Sequence, residues 1–441
     1  MKTAIIGSGI SGLAAASHLH FQGHNITVYE ANNYIGGHVK TIRIPIESLT
    51  NNIEPFPVEM GVFMHDPKYI HPLMNANAKE LGIKIREIPL TFSFQNLKYN
   101  LSWTTKSRFS GILRNLSVFY SIIKKTIFKG NFNQNVFFFM ELQRFLRNMP
   151  RICLDDQFCQ MSLYDFIRKE QYSDCFLDNW LLPQMMCWWG ITRKNAMLIN
   201  IQIIVQSMFF VSSAPQYIFE GGWDRYLEKI YSPFLHSIRT NSYVNRVLRK
   251  NQKVEVTSNN LTEIYDNLIF AIPPSAITKI LQHKNPEEER ILNSFTTITT
   301  RVYLHRDDSW MPTNQEWSTI NLIQDTRGDF CTLYFGGLDL RKPLLLVTWG
   351  DKLNESPDPS KIITTTDWLR TLPTVEYTKA SHSIHSLQGK DHIWHCGAHV
   401  DALDPTNQKS IPSLWHENSY RSGLYVADLI HRAKIKQEEN E

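Results

Sequence analysis

The chain has 441 residues and a formal net charge of +4, with 42% hydrophobic and 20% charged residues. That is enough for two or three domains with real cores, and it excludes disorder, collagen and coiled coil as descriptions of the whole. With 46 Lys and Arg against 42 Asp and Glu, it lacks the concentrated basic excess of a nucleic-acid protein.

Residues 3–6 are a short apolar run that predicts a strand. Gly7, Gly9 and Gly12 interrupt it at once, which argues against a secretory leader. Leu13–Leu19 predicts a helix ended by Gly23, and Asn25–Tyr29 predicts a second strand closing on Glu30. Strand, G-x-G-x-x-G, helix, strand and acid within 30 residues is the full context of a dinucleotide-binding loop. Gly7 permits the tight turn, Gly9 lets main-chain amides approach a pyrophosphate, and Gly12 lets helix and strand close up. The helix N-terminus, with Ile10 and Ser11 in its first turn, adds partial positive charge under the phosphates. Glu30, 18 residues after Gly12, is placed to accept from both ribose hydroxyls and would repel a 2′-phosphate, which disfavours NADP. Ala31 to Thr41 follows, and its Gly36-Gly37 pair permits a second close backbone approach that a simple NAD site does not need.

Further along, six basic residues (Lys106, Arg108, Arg114, Lys124, Lys125 and Lys129) fall between Trp103 and Met140 with no acid. Apolar residues interleave at helical spacing, so the stretch 106–129 predicts a basic amphipathic helix suited to peripheral contact with an anionic membrane face. Trp180, Leu181, Leu182, Met185, Met186, Trp188 and Trp189 lie close together, followed by Met208, Phe209 and Phe210; they suit either plain core packing or an apolar substrate pocket. Met197–Pro215 is the longest apolar stretch, but Asn200, Gln202 and Gln206 interrupt it, so it predicts a buried helix rather than a membrane span. Six cysteines, at 153, 159, 175, 187, 331 and 396 and without a C-x-x-C pair, read as core thiols of a reducing, cytoplasmic compartment. Sixteen histidines include His382, His385, His392, His395 and His399. They lack clustered Cys or carboxylate, and no metal site is expected.

The run E-A-x-x-x-x-G-G-x-x-x-T after the glycine loop resembles the flavin-containing amine oxidase and phytoene desaturase superfamily. Within it, the chain most resembles a bacterial branch of FAD-dependent oxidoreductases related to fatty-acid-modifying desaturases and linked with cyclopropane-fatty-acid-synthase-like methyltransferases. V-E-M-G-V-F-M (58–64), L-L-P-Q-M-M-C-W-W-G (181–190), F-E-G-G-W-D-R-Y-L (219–227), P-E-E-E-R-I-L-N-S-F (286–295), L-H-R-D-D-S-W-M-P (304–312) and W-H-C-G-A-H (394–399) fit that branch.

The resemblance implies an α/β fold in which a Rossmann-like FAD-binding domain is interleaved with an α+β substrate domain. The FAD-binding parts fall at 1–66, 216–278 and 385–434, the substrate parts at 67–215 and 279–384, and 435–441 is a frayed tail. Gly36 and Gly37 are expected along the pyrophosphate and ribityl chain, with Ala31 and Thr41 in the same motif. His38 stands where the superfamily commonly has Arg and can still donate one hydrogen bond. Glu59, Gly61 and Val62 should approach the isoalloxazine, Val244 should meet the adenine through its backbone, and Gly397 should sit near the phosphates. A helix starting near Asn418-Ser419 should aim its N-terminus at the flavin N1/O2 edge. Ala398 stands where an acid often follows the glycine, so one ribityl contact is expected to be missing. The lysine that amine oxidases carry near flavin N5 aligns with Thr300.

Without that lysine, and with no hydrolase or metal motif, the expected activity is FAD-dependent dehydrogenation or related redox modification of a lipid acyl chain. An apolar cavity holding a hydrocarbon needs few polar groups. A flavin amine oxidase, a carotenoid-type desaturase or isomerase, and a non-catalytic flavoprotein scaffold for a lipid-modifying enzyme stay open as alternatives. The sequence identifies no catalytic base and leaves the oligomeric state open.

Overall fold

A computed structural model describes residues 1–47, 53–68, 71–99, 101–104, 132–213, 215–313, 317–339, 343–350, 353–401 and 415–439. The basic stretch 106–129 lies outside them, as do the side chains of Phe209 and Phe210.

The opening strand, Lys2–Ile6, carries Ala4, Ile5 and Ile6, all buried. A continuous apolar run of this kind suits a parallel strand covered on both faces. It pairs in parallel with Asn25–Tyr29 on one side and Asn267–Phe270 on the other. Ile393–His395 and Ile238–Arg239 add the edges of a five-stranded parallel sheet. The sheet therefore draws on three separated stretches of chain. Val244–Lys250, Lys253–Ser258 and Leu261–Tyr265 form a three-stranded antiparallel sheet beside it.

The first helix, Ile10–Phe21, lies between this sheet and the closing helix, His416–Glu438. Two glycines set the closeness of that packing. A Cβ on Gly12 would stand 2.0 Å from the Gly7 carbonyl oxygen, and one on Gly423 would stand 2.2 Å from the Ser11 carbonyl oxygen. Both obstacles are backbone atoms that cannot swing away. Gly423→Ala is expected to destabilise the protein by about 1–3 kcal/mol, read as a lowered thermal midpoint; an unchanged midpoint would show that the two helices are not in register here.

A larger, seven-stranded sheet runs in the order Ile362–Thr371, Thr297–His305, Leu346–Gly350, Gly328–Tyr334, Ile320–Asp325, Phe92–Asn96 and Leu101–Thr104. Its apolar face and the helices Phe132–Leu154, Leu182–Trp189 and Ile201–Ser213 enclose the largest hydrophobic core. The stretch 67–215 is thus more than helical. It supplies two strands of this sheet, because Phe92, Phe94, Leu101 and Trp103 are buried there.

The expected buried helix within Met197–Pro215 covers Ile201–Ser213. Gln202 is satisfied within the protein: its Nε2 donates to the carbonyls of Ile152 and Cys153 at 3.1 and 3.2 Å, and its N–H donates to Asn200 Oδ1 at 2.8 Å. The closing helix starts at His416, three residues before Ser419, and continues to Glu438. The tail expected to fray is therefore helical up to that residue, with Lys434 and Glu438 3.5 Å apart at i,i+4. No described helix is long and apolar enough to cross a membrane.

Candidate functional site

A cavity of about 760 Å³ opens at the carboxyl ends of the parallel strands and extends to the larger sheet. This is where open α/β sheets place their ligands. Gly7, Gly9, Ile10, Ser11, Glu30, Ala31, Gly36, Gly37, His38, Glu59, Gly61, Val62, Val244, Gly397 and Ser419 all line it.

Gly9 is the most informative of these. A Cβ built on it meets no protein atom within 4 Å. Its φ of −69° suits any L-residue. Neither packing nor backbone conformation requires glycine here; what it leaves is open space in the cavity beside the start of the first helix. Gly7 is different, since its φ of +106° and the Ala271 carbonyl, 2.6 Å from a Cβ position, do require glycine. The two glycine loops touch through a bridge between Gly9 and Gly36.

Glu30 is buried and its carboxylate is fully engaged. Oε2 accepts from the Ser8 N–H at 3.0 Å and the Ser8 hydroxyl at 2.6 Å, while Oε1 accepts from the N–H and Nδ2 of Asn32 at 2.9 and 2.8 Å. The four donors fix the carboxylate at the cavity wall, so hydroxyls arriving there would share its oxygens with Ser8 and Asn32. Val244 opens its strand at a bulge and reaches the cavity with Ser242 and Tyr243. His38 is exposed to the cavity, its ring 4.8 Å from the Trp368 ring, and partial loss of solvent around it lowers its pKa below the usual histidine value.

Three sequence-predicted residues are not in the wall. Gly12 packs against Gly7. Thr41 donates to Glu59 Oε2 at 2.8 Å and accepts from the Asp224 N–H at 3.2 Å. Asn418 uses Nδ2 to hold the carbonyls of Ala398 and Val400 at 3.2 and 2.9 Å. All three act through other residues. Glu59 has a second task as well: Oε1 accepts the Trp223 N–H at 2.9 Å, at the N-terminus of the helix Trp223–Tyr231. Burial pushes its pKa up to about 7. Thr300 is buried against Gly190, donating to its carbonyl at 3.4 Å, and is not part of the cavity wall.

The tryptophan-rich segment divides. Trp180, Leu181, Leu182, Met185 and Met186 belong to the core, while Cys187, Trp188 and Trp189 line the cavity. Facing residues that the sequence reading missed are Trp349, Trp368 and Arg370. Trp349 Nε1 donates to the Met186 carbonyl at 3.1 Å, and Trp368 Nε1 donates to the Met60 carbonyl at 2.9 Å. Both indoles are therefore pinned as rigid walls, with their polar edge satisfied. Leu333, Val347 and Ile203 complete an apolar end. Trp415 and His416, at the start of the closing helix, also reach the cavity. The signal for the missed wall was present in T-T-T-D-W-L-R-T (364–371), a strand-like run holding one tryptophan and one arginine at i and i+2.

A model of the flavin containing amine oxidoreductase family matches residues 10–427. The 4,4'-diapophytoene desaturase (4,4'-diaponeurosporene-forming) of Staphylococcus aureus (strain Newman) is 46% identical over 43 residues, 10% of this chain and 9% of that one. The chain thus spans about a tenth of the length of the curated relatives it matches. Among solved structures, a CLA-producing fatty acid isomerase from P. acnes superposes with a TM-score of 0.63 at 14% identity, covering 98% of both chains. Cyclohexylamine oxidase from Brevibacterium oxydans IH-35A superposes with a TM-score of 0.64 at 15% identity, covering 98% of this chain and 99% of that one. At such identities the likeness is one of fold.

Proposed function

The chain belongs to the flavin containing amine oxidoreductase family, and within it we propose an FAD-dependent enzyme that dehydrogenates, or otherwise redox-modifies, a lipid acyl chain. One observation carries the reading: the cavity that begins at the vacant space over Gly9 and the fixed carboxylate of Glu30 ends among Trp188, Trp189, Trp349, Leu333 and Val347. A dinucleotide suits the first end and a hydrocarbon the second.

The glycine loops fit a diphosphate because open space lies over Gly9 and the first helix adds its N-terminal dipole. Glu30, held by four donors, fits a ribose. Bound flavin supplies the hydride acceptor. The protein's part is geometric. The pinned indoles of Trp349 and Trp368 exclude water and hold an apolar chain in place, and the N-terminus of the closing helix favours negative charge beside Trp415 and His416. His38, with its pKa lowered, adds no charge there at neutral pH. The division of the chain at 66, 215, 278 and 384 and peripheral membrane contact through 106–129 belong to the same proposal.

The test is anaerobic mixing of FAD-loaded protein with acyl lipids and, separately, with primary amines. Bleaching of the flavin by an acyl lipid is expected. Bleaching by amines alone, with peroxide released on admitting air, would overturn the lipid reading.

A further inference from the structure

We propose that Arg370 is an anion-binding group in the substrate end of the cavity, and that the substrate is a free carboxylic acid with an apolar body. The proposal rests on the acyl-chain reading above and names its head group.

Arg370 lies on the strand Ile362–Thr371, opposite Ile298 of the neighbouring strand, and lines the cavity. Its guanidinium donates to the Trp188 carbonyl at 3.3 Å, in the last turn of the helix Leu182–Trp189. Its Nε is shut off from solvent and meets no acceptor. Among the described residues, five N–H donors in a fixed fork are thus served by one carbonyl and the partial charge of a helix end. The groups within electrostatic reach are the thiols of Cys187 and Cys331 and the imidazoles of His38 and His416.

No carboxylate among the described residues forms an ion pair with it, whereas Arg43, Arg193, Arg249, Arg301 and Arg327 each have one. Burial lowers the guanidinium to about 10, so it stays charged at neutral pH. A shielded cation without a counter-charge is costly unless a ligand brings one. The planar fork matches a carboxylate with two parallel hydrogen bonds, and its charge repels an ammonium at the same place. Trp188, beside it on the wall, begins the apolar surface that would take the rest of the molecule.

The experiment titrates FAD-loaded protein with oleate and with methyl oleate, following tryptophan fluorescence and the visible flavin spectrum. Oleate should bind about 10- to 100-fold more tightly than its ester. Arg370→Gln should remove that preference while leaving methyl oleate unaffected, and Arg370→Lys should restore part of it. Equal binding of acid and ester by the wild type overturns the proposal and leaves the acyl-chain reading standing. Binding of neither overturns both. If Arg370→Gln keeps its preference for oleate but shifts the flavin spectrum or potential, the guanidinium serves the flavin and the proposal fails. Should that variant lose flavin, the wild-type comparison together with Arg370→Lys decides.

Discussion

Gly9→Val is expected to yield a folded, colourless protein. The fold has no objection to a side chain there, because a Cβ at residue 9 meets no protein atom within 4 Å and the φ is an ordinary −69°. The bound diphosphate would object, since two methyl groups would occupy the space over the amides at the start of the first helix. Overpacking of this kind costs about 1–3 kcal/mol, roughly 5- to 150-fold in affinity. The variant should therefore melt as the flavin-free wild type does and retain no flavin after dialysis. Gly12→Val is the contrasting control. Its Cβ would lie 2.0 Å from the Gly7 carbonyl oxygen, so it should fail to fold whether or not flavin is supplied. A Gly9→Val protein as yellow as the wild type would show that the phosphates do not pass this loop.

The glycine-loop end of the cavity was legible because its physics is local. The strand, glycine turn, helix and acid between residues 2 and 30 are contiguous, and each piece limits its neighbours. Gly36 and Gly37 follow within a few residues. The end walled by the large sheet was not, because its wall is assembled from chain segments far apart in sequence. Trp188, Trp349 and Arg370 line it together, and no spacing rule links segments so distant. Glu59 and Thr41 show a different limit. Their place beside the cavity could be carried over from a motif, but their partners, the amides of Trp223 and Asp224, depend on a helix that packs there only in the folded chain. Gly423 is the same case: a glycine within a helix-forming run gives no hint that the Ser11 carbonyl lies 2.2 Å from its missing Cβ.

Acidification should unfold the protein near pH 5, well above the pH at which carboxylates titrate. Six histidines are buried and held neutral. Burial pushes His24, His65 and His305 down to about 4, His395 and His399 to about 3, and His71 well below its usual value. The geometry agrees. His71 Nδ1 accepts the Asp66 N–H at 3.1 Å, and His305 Nδ1 accepts the Asp307 N–H at 3.1 Å, so neither nitrogen has room for a proton. Neither ring nitrogen of His395 has a hydrogen-bond partner among the described residues. In the unfolded chain all six would titrate near 6.5. The unfolded state therefore binds more protons below that pH, and stability present above 6.5 is lost as pH falls toward 4 and 3. Between pH 6.5 and 5 each group takes up a proton only on unfolding, and the losses add. Glu59 acts in the opposite sense. Its carboxyl, raised to about 7, makes the fold more stable as pH falls toward 4.5, by about 3 kcal/mol at most. The histidines outnumber it, so the net effect of acid is a loss, and marginal stability makes a loss of a few kcal/mol enough to unfold a domain. Urea unfolding of the flavin-free protein at a series of pH values would measure it. The slope of unfolding free energy against pH should correspond to a net uptake of several protons on unfolding near pH 5, and His395→Leu should reduce it by one. A midpoint that does not change between pH 7 and 5 would mean that these imidazoles are already protonated, or solvated, in the native state.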